Sequence, residues 1–431
     1  MTCQELCGAL AAGTFDRRLA ALYAPDGSEG PLSRARDRAL AVSRRFAAQY
    51  GGSAAGAALF SGPGRTEIGG NHTDHQHGHV LCGSVDLDML ACAAPNGLRT
   101  VRLLSEGYPE ITVSLDELQA RPEEANTSAA LVRGVAAGIA REGYALAGFD
   151  ACVTSDVISG SGLSSSAAFE ILLGCIFNRF SCGGALDPVA IAKIGQFSVN
   201  EYFGKPCGIE DQMGSSVGGA VFIDFADPAA PVVERIGYDF SRSGHTLCII
   251  DTRSEHGDLT DDYAAIPREM GAIAAAFGKT VLREVDAAEF RRRLPELRRS
   301  CGDRAVLRAM HYFTDDRRAV SEAAALREND FARFLSLVNA SGRSSALLLQ
   351  NTRTDADPRR QAVALSLAVA EELLGGTGAV RVHGGGFAGT IQAFVPNERL
   401  ADFAAGMESL LGSGTCHLIR IRRTGGCVVA E

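Results

Sequence analysis

Most of the residues able to do chemistry fall in a few glycine-rich segments. One runs Gly62-Pro63-Gly64-Arg65-Thr66-Glu67-Ile68-Gly69-Gly70-Asn71-His72-Thr73-Asp74-His75-Gln76-His77-Gly78. It is dense in Arg, Asn, His and Asp, reads as a polar loop between apolar strands, and offers donors and acceptors suited to a polyhydroxylated ligand. A second runs Ile158-Ser159-Gly160-Ser161-Gly162-Leu163-Ser164-Ser165-Ser166-Ala167-Ala168. Alternating residues Ala151 to Ser155 precede it and apolar Phe169 to Leu173 follow, so it reads as strand, glycine turn and helix start. Glycine lets a backbone approach a ligand closely. A helix N-terminus offers free N–H groups to an anion. Serines add hydroxyl donors or magnesium ligands. The functional reading is a phosphate-binding loop; the plain one is a turn with a serine N-cap.

Two further segments add carboxylates and glycines. Glu201, just before the segment Gly204 to Gly214, lies close in sequence to Glu210 and Asp211, where a surface turn is the simpler account. His383-Gly384-Gly385-Gly386-Phe387-Ala388-Gly389 contains G-x-G-x-x-G, but a strand pattern follows where a dinucleotide site needs a helix. Gly278-Lys279-Thr280 looks like the end of a Walker A loop, yet Ile273 stands where its first glycine belongs. His72, His75, His77 and His79 do not fit H-E-x-x-H, and no cysteine or acid falls in register with them. In an extended segment alternate histidines would face one way; otherwise they are surface residues of a polar loop.

The elements that must position these groups alternate between strand and helix. Helices are expected over 33–50, 127–141, 188–201, 261–276, 304–328, 330–349, 359–374 and 398–411, with Asp187 as N-cap and Pro188 at a first helical position. Strands are expected at 57–60, from 80, and at 101–104, 111–113, 151–155, 218–225, 246–251, 379–382, 390–395 and 417–421, the last being the final strong one. The chain has 431 residues, room for two domains, and a formal net charge of −9 that argues against nucleic acid as a partner. Its 12 cysteines are scattered without a C-x-x-C pair, which points to a reducing cytoplasm. Neither a signal peptide nor an uncharged run long enough to cross a bilayer is expected, so no membrane partner is expected.

Taken together, Gly64-Arg65…His72-Thr73-Asp74, Gly160-Ser161-Gly162-Leu163-Ser164-Ser165-Ser166-Ala167 and Gly384-Gly385-Gly386-Phe387-Ala388-Gly389 resemble the three motifs of the GHMP kinase superfamily. The first is similar to the galactokinase signature P-G-R-x-x-x-I-G-E-H-T-D, and Gly208-Ile209-Glu210-Asp211-Gln212 to its G-I-x-D-Q. The resemblance implies an α/β (α+β) fold of two domains, 1–215 and 216–431, with the active site between them. It implies an ATP- and Mg2+-dependent sugar 1-kinase taking galactose, monomeric or a weak homo-oligomer. It assigns Asp211 as catalytic acid and Arg65 as its partner. Gly160, Ser161, Gly162, Leu163, Ser164, Ser165 and Ser166 would cradle the ATP phosphates. Ser166 and Glu201 would hold magnesium. Asn71, His72, Asp74, Gly208 and Tyr263 would contact the sugar, and the last glycine motif would support the phosphate loop.

The chain departs from the signature at two places. Asn71 replaces the glutamate that helps hold the sugar, and His75-Gln76 replaces Tyr-Asn. An amide is neutral and can donate as well as accept, so N-acetylgalactosamine or a pentose stands beside galactose as substrate. A non-catalytic galactose and ATP sensor is the alternative from another class; the intact Ser164 to Ala168 and Asp211 favour catalysis. His72-Thr73-Asp74 and Asp211-Gln212 argue against a mevalonate or homoserine kinase.

Overall fold

Two-residue alternation along the central strands sets the layers. In the computed structural model, which describes residues 1–158, 162–205, 207–254, 259–354 and 357–431, the strands in chain order are β1 Ala58–Gly69, β2 His79–Pro95, β3 Thr100–Ser105, β4 Ile111–Ser114, β5 Phe149–Ser155, β6 Ala220–Asp224, β7 Val232–Ile236, β8 His245–Asp251, β9 Ala379–Val382, β10 Thr390–Pro396, β11 Cys416–Ile419 and β12 Cys427–Ala430. The first sheet has the order β12-β1-β2-β5-β3-β4, extended by β6 on β2 and β7 on β6. Ala58, Phe60, Ala91, Ala93, Ala151 and Val153 face one core, against the helices Ser128–Arg141, Ser165–Ser181 and Pro188–Ser198. Their neighbours Leu59, Leu90, Cys92 and Cys152 face the other, against the helices Cys3–Ala11, Asp16–Tyr23 and Glu29–Tyr50. A sheet covered on both faces can be apolar throughout, as these strands are.

The second sheet, β11-β8-β10-β9, is antiparallel throughout. Cys248, Ile250, Val382 and Ile391 pack with the helices Ala362–Leu374 and Leu400–Leu411. Leu247, Ile249 and Phe394 turn to the helices Asp303–Arg327 and Phe331–Ser344. The fold is the mixed α/β architecture expected, with caps where expected: Asp187 Oδ1 accepts from Ala190 N at 2.8 Å, with Pro188 at the first turn.

Three expectations change. The segment read as a polar loop is strand as far as Gly69, all of it buried, and only the stretch between β1 and β2 turns. Its glycines permit close approach: a Cβ at Gly62 would lie 2.3 Å from the Ala168 carbonyl. Next, 417–421 does not hold the last strand, since β12 returns to pair with β1. Sheet membership also departs from a cut at 215/216, because β6, β7 and β12 all join the first sheet. Pairing with β1 and β2 satisfies their backbone groups, which no local pattern reveals.

The two sheets meet along the second half of β1. Arg381 of β9, fully buried, donates to the Ile68 carbonyl and to Glu67 Oε1 at 2.8 Å. Gln392 of β10 donates to Thr66 Oγ1 at 2.6 Å and to the Glu67 carbonyl at 3.0 Å. Arg65 therefore lies on a strand clamped from both halves of the molecule.

Candidate active site

Arg65 and Asp211, distant in sequence, form the centre. Arg65 Nε donates to Asp211 Oδ1 at 2.8 Å, with Nη2 on the same oxygen. Arg65 Nη1 donates to the Gly162 carbonyl. Ser164 Oγ donates to Asp211 Oδ2 at 2.6 Å. Asp211 stands in the first turn of the helix Glu210–Val217. Helix and strand pack closely because a Cβ at Gly214 would lie 3.0 Å from Arg65 Cβ. Burial pushes the Asp211 carboxyl up, but the Arg65 charge and the Ser164 hydroxyl outweigh it and hold the group below its ordinary range. Its side chain is 35% exposed, so the ionised carboxylate remains reachable.

The phosphate-loop reading finds its helix. Ser165–Ser181 begins after Ser164, which sits at φ +55° and does not cap it. The Ser164 hydroxyl turns to Asp211 instead, leaving the N–H groups of Ser165, Ser166 and Ala167 without acceptors among the described residues. Uncapped N–H groups at a helix start are an anion site. Gly162 has φ +72°, and a Cβ there would lie 2.9 Å from His383 Nδ1. Gly160 and Ser161 lie outside the described residues. Leu163 is buried, and its carbonyl accepts from Arg65 N at 2.9 Å; its backbone, not its side chain, faces the centre. Beyond Ser165 and Ser166 a cleft of about 740 Å³ runs past Leu131, Phe169 and Phe203 to Tyr108. An apolar cleft of that size ending at an anion site fits a nucleotide.

The expected magnesium pair is not brought together. Ser166 is exposed and lines that cleft, whereas Glu201 is exposed in the turn Val199–Phe203 and lines a separate shallow recess with Leu118 and Arg141. The helix preceding Glu201 ends in a π-type turn. The residues present therefore do not fit the expected pair. Glu170 lies nearer the centre, fully buried on the phosphate-loop helix, and accepts from Gln212 Nε2 at 2.8 Å. Burial raises its carboxyl to about 8.

On the opposite side, His72 Nε2 lies 3.0 Å from the Gly385 carbonyl and Tyr263 Oη donates to the Gly386 carbonyl at 2.8 Å. Both hold the third glycine loop, where Phe387 takes φ +61°. His383, which no local signal marked, lies 3.0 Å from both Thr66 Oγ1 and Thr390 Oγ1. Asp74 and Gly208 meet, since a Cβ at Gly208 would lie 2.8 Å from Asp74 Oδ2. Left-handed backbone at His72, Ser164 and Phe387 concentrates strain around one centre.

Asn71 does not face that centre. It is fully enclosed. Its Nδ2 donates to Glu67 Oε1 at 2.9 Å and to the Gly384 carbonyl at 2.8 Å. Its Oδ1 accepts from Asn351 at 2.8 Å and Ser345 at 3.2 Å. Both amide donors and both lone pairs are engaged inside the protein, which corrects its expected sugar contact. The histidines also disperse: His75 packs on the His72 ring at 5.6 Å, and His79 lies 2.9 Å from Asp316 and 3.4 Å from Asp224. Gly278-Lys279 closes the end of the helix Thr260–Ala275 instead of opening one.

Known proteins resemble this chain over most of its length. The galactokinase galactose-binding signature matches residues 44–95, and the GHMP kinases N terminal domain matches residues 130–219. The chain is 30% identical over 354 residues to a galactokinase of Streptomyces coelicolor, covering 81% of this chain and 87% of that one. The structure of Lactococcus lactis galactokinase complexed with galactose superposes with a TM-score of 0.75 at 22% identity, covering 90% of this chain and 98% of that one. Mevalonate kinase of Methanococcus jannaschii superposes with a TM-score of 0.60 at 13% identity, covering 84% and 98%.

Proposed function

The chain belongs to the GHMP kinase superfamily as a galactokinase-like small-molecule kinase, and from that premise we propose that it phosphorylates the anomeric hydroxyl of galactose at the expense of ATP. The observation that carries the reading is the Arg65–Asp211–Ser164 contact at an uncapped helix start. ATP supplies the transferable phosphoryl group, its phosphates at the N–H groups of Ser165, Ser166 and Ala167 and its base in the cleft along Phe169 and Phe203.

Phosphoryl transfer needs chiefly positioning and electrostatic stabilisation. Asp211 stays ionised at neutral pH, so it orients the sugar hydroxyl by accepting its hydrogen bond. A carboxylate this acidic takes the proton only as the new O–P bond acidifies the hydroxyl. Arg65 holds Asp211 in place and puts fixed positive charge beside the phosphate loop, where negative charge shifts during transfer. In this reading His72, Asp74 and Tyr263 would bind the sugar.

The test is ADP release from ATP and Mg2+ over a panel of free hexoses, pentoses and N-acetylhexosamines, with the phosphorylated carbon identified by NMR. Galactose should be the best substrate, phosphorylated at C1. Absence of turnover on every sugar would overturn the reading.

A further inference from the structure

The enclosure of Asn71 leaves open which group reads the sugar hydroxyls in its stead. Arg65 and Glu67 are two apart on β1, so their side chains leave the strand on the same face. That face carries Arg65 to Asp211. Glu67 is 7% exposed, and its Oε1 is fixed by two donors, Asn71 Nδ2 at 2.9 Å and Arg381 Nη2 at 2.8 Å. No hydrogen bond from a described residue reaches its other oxygen, Oε2. Burial raises the Glu67 carboxyl above its ordinary range, opposed by the charge of Arg381 and then by that of Arg65. That oxygen belongs to a side chain on the face of β1 that carries Arg65 into the centre.

We propose that Glu67 is the carboxylate that binds the sugar, through Oε2, and that Asn71 and Arg381 are the positioning residues that hold it. This inference rests on the sugar-kinase reading for the identity of the ligand. A carboxyl group with one oxygen locked can turn only its other oxygen to a ligand, where it meets a hydroxyl. The locking groups come from β9 and from the turn after β1, so the lone pair is aimed before substrate arrives.

Glu67→Gln tests this directly. Its Oε1 can still accept from Asn71 and Arg381, while a donor replaces the acceptor at Oε2. Calorimetric binding of D-galactose without nucleotide should weaken about 10- to 100-fold, the range for a hydrogen bond to a charged group. KM for ATP should stay within about twofold of the native protein, since uniform damage would move both substrates. A series of monodeoxygalactoses adds the readout that a purely structural role would not move. One analogue should bind the native protein weakly and lose nothing further in the variant, whereas structural damage would weaken all of them equally. If Glu67→Gln fails to fold, Glu67→Asp retracts the carboxylate while keeping its charge and should show the same selective loss. Galactose affinity within twofold of native, or a loss spread evenly over the series, overturns the assignment. Native protein that binds galactose without releasing ADP would instead overturn the kinase reading, and the binding comparison would still decide Glu67.

Discussion

The phosphate side and the sugar side of the centre are built differently. The proposed phosphate side is local: the strand Phe149–Ser155 and the helix Ser165–Ser181 follow each other in sequence, with Gly162, Ser164 and Ser165 at the helix start. The sugar side is assembled from afar. Asn71 alone bonds to Asp315, His311, Ser345, Asn351 and Gly384, residues from four later segments. A local site can be read from a motif, because the motif is the structure. An assembled site cannot, since the groups that occupy a side chain's hydrogen-bonding capacity lie hundreds of residues away. The lesson is sharpest at Asn71, which the signature makes a sugar contact and the packing makes a brace.

Four changes would break or sharpen that contrast. The largest effect is expected at the shared centre. Asp211→Asn should lower the rate of ADP release about 10²- to 10⁴-fold, as for loss of a positioned base, while nucleotide binding by calorimetry stays near native. An unchanged rate would remove Asp211 from the chemistry.

The second falls on the assembled side. Asn71→Glu restores the signature residue but places a carboxylate against Glu67 Oε1 and the Gly384 carbonyl in a fully enclosed pocket. It should destabilise the fold by about 3 to 5 kcal/mol in urea titration, as expected for an uncompensated buried charge, without improving galactose turnover. Better galactose turnover with unchanged stability would show that residue 71 reaches the sugar.

The third probes the local side. Gly162→Ala sets a Cβ against His383 on a left-handed backbone. The strain, about 1 to 3 kcal/mol, should appear mainly as roughly tenfold weaker ATP binding with galactose binding preserved. Equal losses for both ligands would mean that the two sides are not separable.

The last concerns Glu170, behind the phosphate loop, and acts on stability and not on either ligand. Burial raises its carboxyl from 4.5 to about 8 in the folded protein. Between those values the folded state holds a proton that the unfolded state has released. Its contribution to stability is therefore complete below the unfolded value and falls as pH rises, levelling off above about 8. The loss approaches roughly 1.4 kcal/mol per pH unit over that window. Glu170→Gln should abolish that part of the slope, so its melting temperature should gain on the native protein from pH 5 to 8. Parallel pH profiles would show that Glu170 is ionised in the native fold.

Much of the fold was legible because its periods are local. The helices over 261–276, 304–328 and 359–374 lie within a few residues of expectation, since 3.6-residue apolar spacing reports the buried face directly. The short helices Ala287–Arg292 and Leu294–Ser300 carry too few turns to show a period. The β1 misreading has a physical cause as well. Its polar residues Arg65, Thr66 and Glu67 are buried with partners from Asp211, His383, Gln392 and Arg381. Without those partners in view, such a run resembles a solvated loop.

The sequence by itself determined the class of chemistry: glycines and serines before a helix start, an arginine and an aspartate in recognisable motifs, and the alternation that builds a sheet covered on both faces. Only the tertiary structure decided which of those side chains remain available. Burial and long-range hydrogen bonds closed Asn71 and locked one oxygen of Glu67. The reason is that a backbone element depends on near neighbours, whereas the free valence of a polar group depends on everything folded against it.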